Sequence, residues 1–289
     1  MSDEHDGLME PIQRLDRDLR SAAKMMGKKE IRFLVDGFYT AQENRIRADS
    51  QVKACGEVEP KRLLEWIADS ERRFEGDFYK ALDTFTDEYT IGRWMKSICG
   101  IGPVISAGLL AHLDISRCQT AGHFWRFAGL DPTVVWGKGE KRPWNTPLKT
   151  LAAFKLGECF VKVQNNKKDF YGAFFRERRD QEEARNAAGA NREASAEILK
   201  SKRWKKDTEA YKAYSVGLFP PAHLHARARR WAVKLFLSHL HHVMYVDWFG
   251  KDPPVPYAFD KCPGDHRHYI APPNWPFEDK AKSLTEMRE

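Results

Sequence analysis

The chain has 289 residues, and 48 Lys and Arg against 41 Asp and Glu give it a formal net charge of +7. This length and a hydrophobic content of 42% exclude a small disulfide-stapled fold and allow one large domain or two modest ones. The five cysteines are widely spaced without a CxxC pair, which indicates reduced thiols in a cytoplasmic protein. No apolar run approaches the roughly 20 residues of a membrane span, and the acidic start MSDEHDGLME does not resemble a secretory signal.

Charge is distributed unevenly along the chain. Residues 1–90 carry 15 basic and 20 acidic side chains, whereas residues 91–289 carry 33 basic and 21 acidic side chains. An excess of positive charge in one part of a chain is typical of a surface that binds a polyanion. The part from residue 91 onward is therefore the predicted nucleic-acid-binding part.

The first ninety residues predict helices without strands. Two stripes of apolar residues recur there at helical spacing, and we expect both to be core faces. The first stripe comprises Ile31, Leu34, Val35 and Phe38, and the second comprises Leu63, Leu64, Ile67 and Phe74. The break GEVEP separates them, and Pro60 fits the first turn of the second helix.

A glycine-rich break at 100–103, GIGP, predicts a helix-hairpin-helix. The glycines allow a turn too tight for a side chain and let backbone amides approach a phosphate, while Ile101 points into the helix pair. Pro103 fits the first turn of the second helix, and we expect the Ser106 hydroxyl to be available to the same phosphate. Such a motif holds the nucleic-acid backbone rather than the bases. The alternative is a turn that serves packing alone.

A short helix and a basic loop follow the hairpin. Thr120 is the predicted N-cap of this helix, and Gly129 is the predicted left-handed residue that ends it. Residues 133–147, TVVWGKGEKRPWNTP, read as an exposed loop rich in Gly, Pro and basic residues. Trp136 and Trp144 lie in this loop, where burial is hard to arrange, so they are candidates for stacking on a base. A further apolar helix follows the loop.

The remaining sequence predicts a charged segment, a long helix and an irregular tail. Residues 176–212 carry many charges of both signs and few large apolar side chains, which predicts a solvated helix pair or a mobile insertion. The stretch 220–250 predicts a long helix with an apolar stripe of Leu224, Ala228, Trp231, Leu235, Leu240 and Val243. Largely off this stripe lie Arg227, Arg229, Arg230 and Lys234. Beyond it, DPPVP and APPNWP predict extended, proline-rich chain.

The order of these motifs resembles the C-terminal domain of the insertion-sequence-110/116/902 class of transposases. In that family a GIGP hairpin leads to a segment ending in G-L-x-P, and a helix rich in Ala and basic residues closes the domain. Here GIGP at 100–103 precedes AGLDP at 128–132, and HARARRWAVKLFLSHLHHVMY follows later. The resemblance runs from about Ile98 to Val246, with 176–212 as an expansion, and it implies a DNA-binding protein of a mobile element or phage that acts in recombination.

Two departures separate the chain from that family's chemistry. The family pairs an N-terminal ribonuclease-H-like domain, which bears an acidic metal-binding tetrad, with a serine nucleophile in the C-terminal domain. The first ninety residues here lack the apolar β-runs of such a domain, and with them the expected metal-binding tetrad. We therefore predict no cofactor, although binding of a divalent metal stays open. Trp136, Gly137, Lys138 and Gly139 occupy the place of the serine stretch, and no serine occurs between Ser116 and Ser195. We therefore carry over DNA binding and fold, but no catalytic serine.

Histidines also invite a zinc interpretation. They are His223, His225, His239, His241 and His242 in the long helix, together with Cys262, His266 and His268 near the C-terminus. Their spacing does not form a recognised tetrahedral set, so we predict no metal site.

Two other function classes compete with DNA binding. Helix-hairpin-helix scaffolds also carry base-modifying enzymes, which extrude a nucleotide and need an acidic residue or a lysine beside it. Asp131, Glu140, Lys138 and Lys141 are the candidates for that chemistry, although Asp131 before Pro132 is also typical of a turn. An adaptor that binds a protein through its acidic helices is the third class, and it predicts no DNA affinity.

These features predict an all-α, multi-helix protein: an acidic helical region at 1–90, a basic helix-hairpin-helix domain at 91–260 and a Pro-rich tail at 261–289. We expect it to bind the backbone of duplex or branched DNA and to associate with the nucleoid. RNA as a partner and a homo-oligomer stay open. The expected DNA-binding residues are Gly100, Ile101, Gly102, Ser106, Trp136, Lys138, Lys141, Arg142, Trp144, Arg227, Arg229 and Arg230.

Overall fold

Helices make up all the regular structure that the computed structural model describes, which covers residues 17–55, 61–137, 139–201, 203–256 and 269–287. An isolated bridge between Tyr89 and Lys282 is the one extended pairing in these ranges. The prediction of an all-α fold is therefore confirmed. None of the helices in the described ranges combines the length and hydropathy that a membrane span requires.

Twelve α-helices follow one another along the described chain. They are α1 (Arg17–Ala23), α2 (Lys28–Ala54), α3 (Arg62–Asp87), α4 (Thr90–Lys96), α5 (Pro103–His112), α6 (Ala121–Phe127), α7 (Thr146–Lys149), α8 (Gly157–Val163), α9 (Tyr171–Ala187), α10 (Arg192–Ser201), α11 (Glu209–Ser215) and α12 (Pro221–Phe249). A π-helical segment, Thr150–Leu156, joins α7 to α8, and short 3₁₀ turns span Ile115–Arg117 and Leu284–Glu286.

The chain divides into two compact units. The N-terminal unit comprises the described residues of Met1–Ser97, Gly102–Asp114 and Pro276–Glu289, and the C-terminal unit comprises those of Ile98–Ile101 and Ile115–Trp275. The sequence-based boundaries at 90 and 260 stay predictions. In the structure, α5 and the end of the chain group with the N-terminal helices.

The N-terminal unit is organised around the antiparallel pair α2 and α3. Ile31, Val35 and Phe38 are buried, which confirms the first predicted stripe. The second stripe is wrong as a core face, because Leu63 and Phe74 are exposed. Burial on α3 is concentrated in its C-terminal half, at residues such as Ala81, Leu82 and Phe85, whereas ion pairs such as Arg45 with Glu75 line its contact with α2 nearer the middle.

The second helix of the predicted hairpin, α5, is a core element of the N-terminal unit. Every residue from Pro103 to Ala111 is buried, as expected of a helix that is apolar on all sides and packs against α2, α3 and α4. Arg32 donates from Nε and Nη2 to the Ala111 carbonyl at 2.9 and 2.6 Å, which satisfies an acceptor at the C-terminal end of α5.

The C-terminal unit is built on α12, a helix of 29 residues. Leu224, Ala228, Leu240 and Val243 of the predicted apolar stripe are buried, and α6, α8 and α9 pack against the helix. Gly250, with φ of +65°, ends it in the left-handed conformation. This long helix positions the basic side chains considered below.

The charged segment 176–212 forms parts of α9 and α11 and all of α10. Most of its charged side chains are exposed, but a few polar ones are buried: Asn186 accepts from the Phe219 amide and donates to the Phe219 carbonyl. A small cluster of Tyr214, Phe219 and Leu224 packs against Trp204 and its neighbours. The segment therefore gains a core because it combines with residues after 212, which the prediction of a solvated pair did not include.

Candidate nucleic-acid interface

The turn between α4 and α5 has the backbone geometry that the glycines predict. Gly100 has φ of +90°, and a Cβ built there would lie 3.1 Å from Val163 Cγ2. The Ile101 amide donates to the Ile98 carbonyl at 3.0 Å, and the Ile101 side chain is buried. At Gly102, where φ is −102°, a Cβ would meet no atom within 4 Å, and the amide has no hydrogen-bond partner among the described residues. Gly102 therefore has the space and the donor that backbone recognition of an anion requires.

Ser106 is a correction to the expected site. Its side chain is fully buried, and Oγ donates to the Gly102 carbonyl at 3.0 Å. The hydroxyl satisfies a carbonyl within its own helix and is not available to a phosphate. The reason is the register of α5, which is apolar all round and leaves no face of this stretch to solvent.

The basic loop is extended and exposed as predicted, but its turns are closed by its own acidic residues. Asp131 accepts from the Thr133 amide at 2.9 Å and from the Thr133 hydroxyl at 2.7 Å. These hydrogen bonds lower the pKa of the Asp131 carboxyl, as is typical of a turn-forming aspartate. Glu140 accepts from the Gly137 amide at 3.0 Å through Oε2. Among the described residues, neither carboxylate forms a hydrogen bond or ion pair with an acidic or basic side chain, and both accept hydrogen bonds from backbone amides.

Trp136 and Trp144 lie together within this loop. Their ring centroids are 6.0 Å apart in an edge-on arrangement, and Trp136 Nε1 donates to the Glu140 carbonyl at 2.8 Å. Gly129 has a left-handed backbone with φ of +64°, and the Trp144 ring packs directly against it. A Cβ at residue 129 would lie 2.9 Å from Trp144 Cγ, so a side chain there would clash with the ring. The prediction that Gly129 ends α6 is confirmed. The absence of a side chain at this residue also leaves the space in which Trp144 packs.

Basic side chains surround this aromatic pair. The Arg142 guanidinium carbon lies 5.4 Å from the Trp136 ring centroid, and Lys149 Nζ lies 4.0 Å from the Trp144 centroid. Partial burial lowers the pKa of Lys149, and so does the nearby positive charge of Arg142 and Arg230. Lys149 therefore lies near both arginines, and we call Arg142, Lys149 and Arg230 the cation cluster.

The cation cluster has no ion-pair partner among the described residues. Arg142 and Arg230 are exposed, and Lys149 is half-buried over Trp144. Arg230 also feels its own neighbours: partial desolvation lowers its pKa first, and Arg227 and Arg229 lower it further. A set of cations without a counter-charge is energetically unfavourable in the free protein, and an oxyanion would relieve it.

The other two arginines of the predicted trio are committed to carboxylates. Arg227 Nε donates to Glu182 Oε2 at 2.9 Å, and Arg229 Nη1 pairs closely with Glu158 Oε1. Arg227 and Arg230 are i, i+3 neighbours on the helix, but carboxylates pair with Arg227 and Arg229, so the trio does not present three unpaired charges. Arg227 and Arg229 are thus part of the packing of α12, and Arg230 alone belongs to the cation cluster.

A second pairing of a lysine with a tryptophan lies in the same unit. Lys234 Nζ is 4.3 Å from the Trp125 ring centroid, and Trp125 Nε1 donates to the Lys234 carbonyl at 3.0 Å. Burial lowers the pKa of Lys234, and the Asp131 carboxylate opposes this shift. The expected DNA-binding residues included neither Lys149 nor Lys234, although both lysines lie on predicted helices of the basic part.

Lys141 is exposed, whereas Lys138 lies outside the described residues. Two of the histidines of α12 are buried and bond main-chain carbonyls: His239 Nε2 bonds that of Ile270 at 2.8 Å, and His241 Nε2 bonds that of Cys118 at 2.9 Å. No three His, Cys, Asp or Glu side chains of the described ranges come together as a metal site needs. The tail residues Cys262, His266 and His268 are outside those ranges.

Part of this region is similar to a known protein family. Residues 92–142 match the model of the Transposase IS116/IS110/IS902 family. The match begins in α4 and runs through the glycine turn, α5 and α6 to Arg142 of the basic loop, so it covers the GIGP and AGLDP motifs. This confirms the resemblance over that stretch of the chain. A search of curated proteins and of solved structures found no match.

Proposed function

We propose that the protein binds DNA through its phosphate backbone, as a relative of insertion-sequence transposases. The observation that carries the proposal is the cation cluster. Arg142 and Lys149 lie on the adjoining Trp136 and Trp144 rings, the charge of Arg230 reaches Lys149, and none of the three cations has an ion-pair partner among the described residues. The planar guanidinium of an arginine matches two phosphate oxygens, and the lysine supplies a point charge between two such groups.

The surroundings of the cation cluster favour a nucleic acid over a small anion. Two tryptophans lie against it, and aromatic rings beside cations are typical of surfaces that contact both phosphates and bases. The excess of basic residues after residue 90 supplies a field of the same sign around it. The family match ends at Arg142, which is itself a member of the cluster.

The turn at Gly100, Ile101 and Gly102 supplies a separate backbone contact in this proposal. The Gly102 amide is the donor, and the open space at its Cβ position allows a phosphate to approach. We expect Gly102→Val to weaken binding to all DNA sequences alike. Contacts of both kinds involve phosphates, so the affinity depends little on sequence.

We propose binding rather than base chemistry at the loop, because its two candidate acids are engaged by their own backbone. Asp131 holds the Thr133 amide, and Glu140 holds the Gly137 amide. A general acid or base needs its carboxylate within hydrogen-bond reach of a substrate proton. Asp131 and Glu140 would have to open the loop to provide one.

The test compares two triple variants with equal loss of charge. The first is Arg142→Gln, Lys149→Gln and Arg230→Gln, and the second, as a matched control, is Lys200→Gln, Lys205→Gln and Lys206→Gln from the exposed charged segment. Affinity for a labelled 30-base-pair duplex is measured by fluorescence anisotropy between low and moderate salt. We expect the first variant to lower the slope of log K against log salt by about 2.7, since each phosphate contact contributes about 0.9.

The control variant should retain the slope of the wild type. Equal slopes for the two triple variants, or an absence of DNA binding by the wild type, would remove the cation cluster from the function. A duplex RNA of the same sequence, measured in parallel, reports whether the site also accepts A-form backbone.

A further inference from the structure

The tip of the basic loop presents an apolar surface that phosphate binding does not use. Val135 is 91% exposed and Trp136 is 37% exposed. Single exposed apolar residues are common, but here two consecutive ones stand directly before a cation cluster. A surface that bound only phosphates would need neither side chain.

The loop holds the Trp136 ring in a fixed position. Nε1 donates to the Glu140 carbonyl at 2.8 Å, the Glu140 amide donates to the Gly137 carbonyl at 3.3 Å, and Glu140 Oε2 accepts from the Gly137 amide. Trp144 contacts the ring edge-on, and Arg142 lies over it. Glu140 is therefore a positioning residue, and the exposed part of the indole needs no reorganisation before it binds a flat partner.

We propose that Trp136 stacks on an unpaired nucleobase of DNA, so that the protein prefers DNA with a gap or mismatch to a continuous duplex. This inference rests on the proposed function, because the cation cluster must hold the adjoining phosphates. An indole that is part exposed and part covered by a guanidinium forms a mixed platform for a base. In a continuous duplex both faces of each base are stacked on neighbours, so the ring finds a partner only where a base is unpaired.

The position of the cations favours a base over a protein side chain as the partner of Trp136. Arg142 contacts the Trp136 ring, and the charge of Arg142 also reaches Lys149, which packs on Trp144. A base whose phosphates lie on the cation cluster therefore has Trp136 within the same local surface. Stacking of this kind tolerates any base, because every base has a π-face.

The experiment uses two DNAs of one sequence, a continuous 30-base-pair duplex and the same duplex with a three-nucleotide single-stranded gap that contains 2-aminopurine. The full chain is compared with Trp136→Ala, Trp136→Phe and the control Trp66→Ala, which removes a tryptophan that is 57% exposed on α3. We expect Trp136→Ala to lower affinity for the gapped DNA about tenfold and to change affinity for the continuous duplex less than about twofold. Trp136→Phe keeps an aromatic face and should retain most of the preference.

Stacking also changes the fluorescence of 2-aminopurine, and this change should appear with the wild type and Trp66→Ala but not with Trp136→Ala. Equal wild-type affinity for the two DNAs, or an equal loss for both DNAs in Trp136→Ala, would overturn the stacking role while the phosphate-binding function stands. If the wild type binds neither DNA, the proposed function fails, and the stacking role fails with it.

Discussion

Glu182 tests whether Arg227 belongs to the packing of the C-terminal unit or to a DNA surface. The side chain of Glu182 is 1% exposed, and it accepts from Arg227 Nε at 2.9 Å and from Arg178 Nη2 at 2.5 Å. Glu182→Gln retains the shape of the side chain but removes its charge. Two guanidiniums then share one site without a counter-ion, and one of them loses an acceptor.

The magnitude follows from the two hydrogen bonds and their exposure. A hydrogen bond to a charged group contributes about 1.5–3 kcal/mol, and removing one member of a buried pair costs about 3–5 kcal/mol. The arginine side chains keep 25% and 34% of their surface exposed, so water replaces part of what they lose. We therefore expect Glu182→Gln to lower the free energy of unfolding by about 2 kcal/mol.

The Glu182 site also predicts how the stability of the fold changes in acid. Burial by itself would raise the pKa of the Glu182 carboxyl, but the hydrogen bonds and charges of Arg227 and Arg178 outweigh it and leave the pKa below its ordinary value. A carboxyl with a lowered pKa stabilises the fold above its unfolded-state value, and this stabilisation is lost as the pH falls through the folded-state value. Glu182→Gln should therefore weaken the dependence of stability on acid.

The assay is urea unfolding of the wild type, Glu182→Gln, Arg227→Gln and the double variant, at neutral pH and in acid. The double-mutant cycle should give a coupling of about 1 kcal/mol or more between the two residues. A loss below about 0.5 kcal/mol in Glu182→Gln, or strict additivity, would refute a structural ion pair. Arg227→Gln should also leave the salt dependence of DNA affinity nearly unchanged, because the ion pair with buried Glu182 holds this guanidinium within the packing of α9 and α12.

Three further predictions concern the turn, the buried polar core and the cation cluster. Gly100→Ala should destabilise the fold by about 1–2 kcal/mol in chemical unfolding, because φ at Gly100 is +90°. Gly102→Ala should cost less than about 0.5 kcal/mol, because φ there is −102° and the space for a Cβ is open. Equal losses of stability in the two variants would contradict the turn geometry. Tyr171→Phe removes a 2.8 Å hydrogen bond to a buried histidine and should cost about 1–2 kcal/mol, and a neutral result would show that the pair contributes nothing. Phosphate binding should raise the lowered pKa of Lys149. Wild-type affinity for DNA should therefore fall more than that of Lys149→Arg as the pH rises from neutral toward the ordinary lysine pKa; identical profiles would place this amine away from DNA.

Local rules predicted much of the helical structure because they act between near neighbours. Thr120 at the start of α6, Gly129 at its end and the apolar stripe of α2 all follow from capping and helical periodicity, and the structure shows each of them. The stripe at Leu63 and Phe74 failed because periodicity identifies an apolar face but not whether another helix covers it. Coverage depends on how far each neighbouring helix extends, which is a property of tertiary packing.

The glycine turn shows a different limit. Its conformation was predictable from GIGP, since Gly100 needs a positive φ and Pro103 begins α5. The role of Ser106 was not predictable, because a serine in the first turn of a helix bonds either a ligand or a backbone carbonyl, and the choice depends on its exposure. The apolar sequence of α5 on all sides was the available signal that this serine is buried.

Clusters of basic residues in a sequence and clusters on a surface are different objects. Arg227, Arg229 and Arg230 are adjacent in sequence, yet two of them are neutralised by carboxylates that are 45 and 71 residues away. Arg230 is far from Arg142 and Lys149 in sequence, yet its charge and that of Arg142 both act on the Lys149 amine in the folded chain. Only charge that remains after internal pairing can release counterions from DNA, so the salt dependence of binding counts the second set and not the first. For the same reason, a residue that looks basic in sequence becomes a candidate for phosphate contact only when the fold has left its charge without a partner.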